Sequence, residues 1–341
     1  MAAAGAETTA ATGGSQRPLS LAFLAVLVVL FDLVGAVTGT SASHGAPGLE
    51  RRTFAGTAGS RDYEVYRPPG GGEGRPLIVY LHGCDETADD AVHATGYTEL
   101  AAREGFVVVF PQQDPEANSL RCWNWFRSSD QTRDAGEPAL IAGITRTVLA
   151  EEGSDPRRVY VAGLSAGAAM AVVMGATYPD LFAAVASVAG CEYRGLPCTL
   201  WPADLAPELS GRYAYEAMGP RARPVPVLVV QGDADRVVPP ANADLLVRQW
   251  LETADLAFDG RDDGPVPTEP ARRRQEATSG GYSYEVATWN GPDGGPLVER
   301  WLVAGLGHAY PGGPPDGAYT DPRGPDATAG AWRFFQAHPG P

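Results

Sequence analysis

Ser165 stands at the centre of the run Gly163-Leu164-Ser165-Ala166-Gly167. A serine hydroxyl becomes a useful nucleophile only when a base takes its proton and a third group orients that base. The chain has five histidines that could be the base. His44 falls in an N-terminal segment set apart below, His93 in a predicted helix, and His338 close to the C terminus. His82 follows an apolar run and precedes Gly83. His308 lies in Gly305-Leu306-Gly307-His308-Ala309-Tyr310-Pro311-Gly312-Gly313, just past a predicted strand. A Gly-rich loop at a strand end suits an imidazole that must reach over a nucleophile, so His308 is the expected base. The orienting carboxylate belongs at a strand end between these two positions. Asp233 and Asp235 both follow the apolar run 225–230. Asp235 is preferred because two more residues carry it past the strand end; Asp233, the rival, fits a turn cap. The chemistry is acyl transfer, whose tetrahedral intermediate needs preorganised N–H donors for its oxyanion. The Ala166 N–H follows the nucleophile directly. The second donor belongs in the loop after the strand at 76–81, where Gly83 permits close approach and the Cys84 N–H is the candidate.

These side chains need a scaffold. Residues 158–164 alternate apolar and β-branched positions, a buried strand, and residues 168–174 are wholly apolar, a buried helix. Ser165 then occupies the sharp corner between them, flanked by glycines that avoid a collision. With 42 glycines in the chain the motif is weak by spacing alone, and the strand before and helix after are what select it. Elsewhere the patterning predicts an edge hairpin over 51–67 turning at Gly59-Ser60. Strands are predicted at 76–81, 105–110, 182–188, 225–230, 282–289 and 297–303. Helices are predicted at 88–103, 137–151, 241–252 and 327–337. Residues 112–134, 191–222, 254–280 and 305–325 read as loops. Such alternation implies an α/β fold, a mostly parallel sheet with helices on both faces, in one domain covering residues 46–341.

The 341 residues carry a net charge of −15, and every one of the 26 basic residues is Arg. That acidity argues against nucleic acid or an anionic membrane as partner. Residues 1–45 stand apart: Arg17 precedes a largely apolar run from Leu19 to Val37, interrupted by Asp32, and small residues follow. The pattern fits an export signal, with a membrane anchor as the alternative; Asp32 counts against a stable span. Either arrangement places the rest of the chain outside the cell. The four cysteines suit an exported protein. Cys191 and Cys198 close a short loop, which leaves Cys84 to pair with Cys122; zinc is the rival reading, disfavoured by the spacing. In the segment carrying Cys122, Trp123 and Trp125 are expected to wall an acyl or alcohol pocket, with His82 nearby.

Leu81-His82-Gly83-Cys84, Cys122-Trp123-Asn124-Trp125-Phe126, Gly163-Leu164-Ser165-Ala166-Gly167, Gly232-Asp233-Ala234-Asp235-Arg236-Val237-Val238, the Gly-rich stretch around His308 and Trp332-Arg333-Phe334-Phe335 follow in this order across residues 50–338. Together they resemble the secreted poly(3-hydroxybutyrate) depolymerase and feruloyl esterase family of α/β-hydrolases. The resemblance implies an α/β-hydrolase fold, Asp235 as the last residue of Gly-x-x-Asp, His308 as base, and ester hydrolysis through a serine acyl-enzyme with no metal or cofactor. It also implies an ester substrate: a hydroxyalkanoate polymer or its oligomers first, feruloyl esters or acetylated xylan as alternatives. Some polymer-degrading members carry a linker and a polymer-binding domain after the catalytic domain, whereas this chain ends just past its predicted final helix, so soluble substrates are expected alongside polymer. Gln231 stands where a His is expected. A peptidase on the same fold, or a binding protein that keeps the fold without chemistry, are the remaining readings.

Overall fold

A computed structural model describes residues 48–70, 73–195, 198, 206–262, 269–291 and 293–341. The export segment lies outside the described residues, as does most of the stretch from 196 to 205.

Five strands are buried at every position: β3 (Leu77–Leu81), β4 (Val107–Pro111), β5 (Val159–Leu164), β6 (Ala184–Val188) and β7 (Val227–Gly232). Continuous apolar runs of this kind belong to a sheet covered on both faces. These five and β10 (Pro296–Val303) pair in parallel in the order β4-β3-β5-β6-β7-β10. Antiparallel strands flank them. On one side is the hairpin of β1 (Leu49–Gly56) and β2 (Gly59–Tyr66); on the other are β9 (Ser283–Asn290) and β8 (Arg272–Ala277). The outermost strand β8 reads Arg-Arg-Arg-Gln-Glu-Ala and has no buried residue, a charged edge that discourages pairing with another chain. A two-stranded ladder of β11 (Tyr310–Pro311) and β12 (Thr320–Asp321) follows.

Helices cover both faces. On one lie α1 (Ala88–Thr95), α2 (Tyr97–Glu104) and α7 (Ala327–Ala337), where Phe335 stacks on Tyr160 and Trp332 on Phe106 at 4.6 and 4.5 Å between centroids. On the other lie α3 (Gly136–Glu151), α4 (Ala166–Thr177), α5 (Pro207–Met218) and α6 (Ala241–Asp259). All twelve residues of α4 are buried, as a helix apolar on every side requires. Among the described residues no helix is long and apolar enough to cross a membrane.

The expected order of strands and helices is present, with local differences. The predicted helix over 88–103 is two helices, because Gly96 takes φ 66° and ends the first while opening the second. The hairpin turns at Thr57-Ala58, since Gly59 already pairs with Gly56. The supposed loop at 191–222 contains α5, and 254–280 contains the end of α6 together with β8. In a chain this rich in Gly and Pro, these residues mark breaks less reliably than usual.

Candidate active site

The C-terminal ends of β3, β5, β6, β7 and β10 deliver the chemistry-bearing residues to one edge of the sheet. Ser165 links β5 to α4 with φ 54° and ψ −118°, a backbone region that costs a non-glycine residue about 1–3 kcal/mol. Its N–H donates to the Val188 carbonyl at 2.9 Å, which anchors the corner to β6. A side chain at Gly167 would collide with the Leu81 and His82 carbonyl groups, so the turn can lie against the end of β3 only because that position is bare. The N terminus of α4 then sits beneath the hydroxyl and favours developing negative charge there.

His308 Nε2 lies 3.0 Å from Ser165 Oγ, and His308 Nδ1 lies 2.8 Å from Asp235 Oδ2. The Asp235 side chain is fully buried; its Oδ1 accepts the N–H groups of Val237 and Val238 at 2.8 and 2.9 Å. The Nδ1 proton therefore goes to the carboxylate, which leaves Nε2 as the acceptor facing the serine. Gln231, in the place of an expected His, donates from Nε2 to Asp235 Oδ2 at 3.1 Å and fixes the carboxylate further. Asp233 does something else. Its Oδ1 accepts the Gly305 N–H at 2.6 Å and its own N–H goes to the Val303 carbonyl, so it staples the start of the His308 loop to β7. The structure thus brings Ser165, Asp235 and His308 together and keeps Asp233 apart from the imidazole.

The loop after β3 closes over this corner. A Cβ placed on Gly83 would lie 3.6 Å from Ser165 Cβ. The Gly83 N–H is taken by Glu86 Oε2 at 2.6 Å and the Asp85 N–H by the Leu120 carbonyl at 2.7 Å. Among the described residues no acceptor takes the N–H of Cys84 or of Ala166. The Cys84–Cys122 disulfide ties this loop to the Trp-bearing segment, and Cys191–Cys198 closes its own short loop.

The expected substrate contacts need correction. His82 is fully buried with both ring nitrogens engaged: Nδ1 donates to the Gly83 carbonyl at 2.7 Å and Nε2 accepts the Gln113 N–H at 3.0 Å. Burial lowers its pKa from 6.5 to about 4, so the ring is neutral. It orients the Gly83–Cys84 peptide instead of touching substrate. Trp123 is also fully enclosed, packed beside the His82 ring, and Trp125 keeps only 8% of its surface. Large apolar rings found a better home in the protein than at its surface.

A buried polar cluster escaped the sequence reading. Glu137, at the start of α3, accepts from Gln113 Nε2, from the Asn124 N–H and from Asn124 Nδ2 at 2.5–2.6 Å. Burial pushes its carboxyl up from the usual range, against those hydrogen bonds. Gln113 also donates to the Cys122 carbonyl and, through its backbone, to His82. The cluster holds the segment 112–134 to the site. Partners so far apart in the chain leave no local spacing signal.

Comparison with known proteins follows the same line. Residues 61–264 match a family model described as Esterase PHB depolymerase. The chain is 35% identical over 273 residues to poly(3-hydroxyalkanoate) depolymerase C of Paucimonas lemoignei; the match covers 78% of this chain and 62% of that protein. It is 29% identical over 276 residues to an acetylxylan esterase of Coprinopsis cinerea, covering 76% of this chain and 68% of the relative. Among solved structures, an acetyl xylan esterase from Aspergillus awamori superposes with a TM-score of 0.65 at 24% identity, covering 76% of this chain and 93% of that one. The architecture is an α/β-hydrolase fold, and with well over half its length matched by the family model, the chain belongs to the Esterase PHB depolymerase family.

Proposed function

We propose that this protein is an exported serine carboxylic ester hydrolase that works through an acyl-enzyme, with poly(3-hydroxyalkanoate) or its oligomers as substrate. The reading rests on one observation, the unbroken hydrogen-bond line from Asp235 through His308 to Ser165. Ser165 Oγ attacks the ester carbonyl while His308 Nε2 takes its proton. Asp235 holds the imidazole in the tautomer that can accept and stabilises the imidazolium formed. The Ala166 and Cys84 N–H groups receive the oxyanion. His308 then protonates the departing alkoxide, which leaves as the alcohol. In the second half, His308 takes a proton from water, the hydroxide attacks the acyl carbon, and collapse returns the proton to Ser165.

The substrate class comes from similarity to the depolymerase of Paucimonas lemoignei, and acetylated xylan is the second reading, from the acetylxylan esterase relatives. Export rests on the apolar N-terminal run, and the two disulfides fit an oxidising compartment. Residues 46–341 form the catalytic domain in this reading.

Ser165→Ala should abolish release of p-nitrophenol from a short aryl ester and block labelling by a serine-directed phosphonate. Full turnover by that variant would remove Ser165 as the nucleophile. Hydroxybutyrate oligomers, feruloyl esters and acetylated xylan offered to the wild type then identify the acyl and alcohol groups; activity on acetylated xylan alone would favour the second reading.

A further inference from the structure

Glu86 is a buried acid that the mechanism above does not use. It belongs to the tight loop between β3 and α1, and only 2% of its surface is exposed. Its Oε2 accepts the Gly83 N–H at 2.6 Å. A Cβ on Gly83 would lie 2.8 Å from that same oxygen and 3.6 Å from Ser165 Cβ, so the carboxyl sits immediately behind the residue that faces the nucleophile.

The geometry of the loop gives this carboxyl a task. The Gly83 C=O and the Cys84 N–H belong to one planar trans peptide and point in opposite directions. His82 Nδ1–H holds the C=O at 2.7 Å. Glu86 holds the preceding N–H. With both main-chain groups of Gly83 tied, the Cys84 N–H has little freedom to rotate, and among the described residues no acceptor takes it.

Charge matters as much as geometry. Burial raises the Glu86 pKa from 4.5 to about 8 despite the Gly83 hydrogen bond, and Asp90 on α1 adds to the rise. The other titratable groups that sense this carboxyl are Tyr80 on β3 and Tyr319 in the loop before β12, both neutral at pH 7; His82 in its own loop is neutral as well. Arg121 acts on the neighbouring His82 and Asp85, and among the described residues no cation shifts Glu86 itself. A carboxylate here would repel the oxyanion forming close by, whereas the neutral acid accepts the same hydrogen bond without that penalty.

We propose that Glu86 is a positioning residue for ester hydrolysis, whose carboxyl clamps the Gly83 N–H and so presents the Cys84 N–H to the oxyanion. The proposal rests on the serine-hydrolase reading above and deepens it. It makes Glu86 a pH gate: deprotonation leaves the clamp but sets a negative charge beside the transition state.

The test compares Glu86→Gln and Glu86→Ala with the wild type on p-nitrophenyl butyrate, between pH 6 and 9.5. Losing one oxyanion donor lowers kcat by about 10²–10³-fold. Glu86→Ala, which only loosens such a donor, should lose about ten- to a hundredfold in kcat with KM nearly unchanged. Glu86→Gln keeps an oxygen for the Gly83 N–H and has no proton to lose. It should match the wild type at pH 7 and hold its kcat above pH 8, where the wild type declines. A wild-type kcat in folded Glu86→Ala, or coincident pH profiles for Glu86→Gln and wild type, would overturn the proposal. If Glu86→Ala fails to fold, the pair of pH profiles decides alone. Phosphonate labelling of the wild type keeps the two readings apart: labelled enzyme with pH-independent Glu86→Gln and wild-type profiles loses Glu86 only, and unlabelled, inactive enzyme loses the serine mechanism itself.

Discussion

Two aspartates two positions apart carry different tasks, and the difference lies in what each oxygen touches. Asp235 receives two backbone N–H groups on Oδ1 and the His308 imidazole on Oδ2; among the described residues the Asp233 carboxylate receives only the Gly305 N–H. Replacing Asp235 by Asn turns one of its oxygens into a donor and favours the wrong imidazole tautomer. In the proposed mechanism Asp235→Asn therefore lowers kcat by about 10⁴-fold. Asp233→Asn keeps an oxygen for Gly305 and leaves kcat near the wild-type value. Single-turnover hydrolysis of an aryl ester measures both, and a larger loss at 233 than at 235 would reverse the assignment. At this scale the sequence carried the types and the order of Ser165, Asp235 and His308. His82, Trp123 and Trp125 are all buried, which the sequence did not reveal, because an aromatic or imidazole ring in a predicted loop looks the same in sequence whether it faces substrate or core.

The elements that hold these residues are strand ends and the segments that join them. The segment 112–134 has almost no regular structure, yet it is fixed, because Glu137 on α3 reaches across to Gln113 and Asn124 and the disulfide pins Cys122 to Cys84. Glu137→Leu would strand three buried donors, each at about 1–3 kcal/mol when left unsatisfied. Urea unfolding should show a loss of several kcal/mol, and an unchanged midpoint would mean that the cluster does not hold this loop. The apolar periodicity made β3 to β7 legible in the sequence, since a strand covered on both faces must be apolar throughout. It hid α5 and β8. α5 lies within a Gly- and Pro-rich stretch, and β8 is charged because it forms an exposed edge.

Across the whole molecule, burial of titratable groups sets how stability changes with pH. His82 has a folded pKa of about 4 against 6.5 when free, so the unfolded chain binds more protons between those values and stability is lost as pH falls from 6.5 toward 4. Glu86 and Glu192 have the opposite sign. Their folded values of about 8 and about 7 lie above 4.5, the folded state keeps its protons longer, and stability declines as pH rises from 4.5 to those values. The contributions oppose each other between pH 4.5 and 6.5, and above 6.5 only the two glutamates remain. The Tm should therefore fall between pH 6.5 and 8, most steeply below about 7, where both folded glutamates still hold a proton that the unfolded chain has lost, and less in Glu86→Gln; a Tm that climbs over that range would contradict this account. The sequence by itself determined the fold class and the order of its strands, because patterns of burial repeat at short range along the chain. It also determined which serine and histidine stand at strand ends. Only the tertiary structure decided that Asp235 and not Asp233 meets the imidazole, that His82 and Glu86 face inward to clamp one glycine, and which amides stay free. Those outcomes depend on distances between segments far apart in sequence, and a linear pattern holds no measure of such distances.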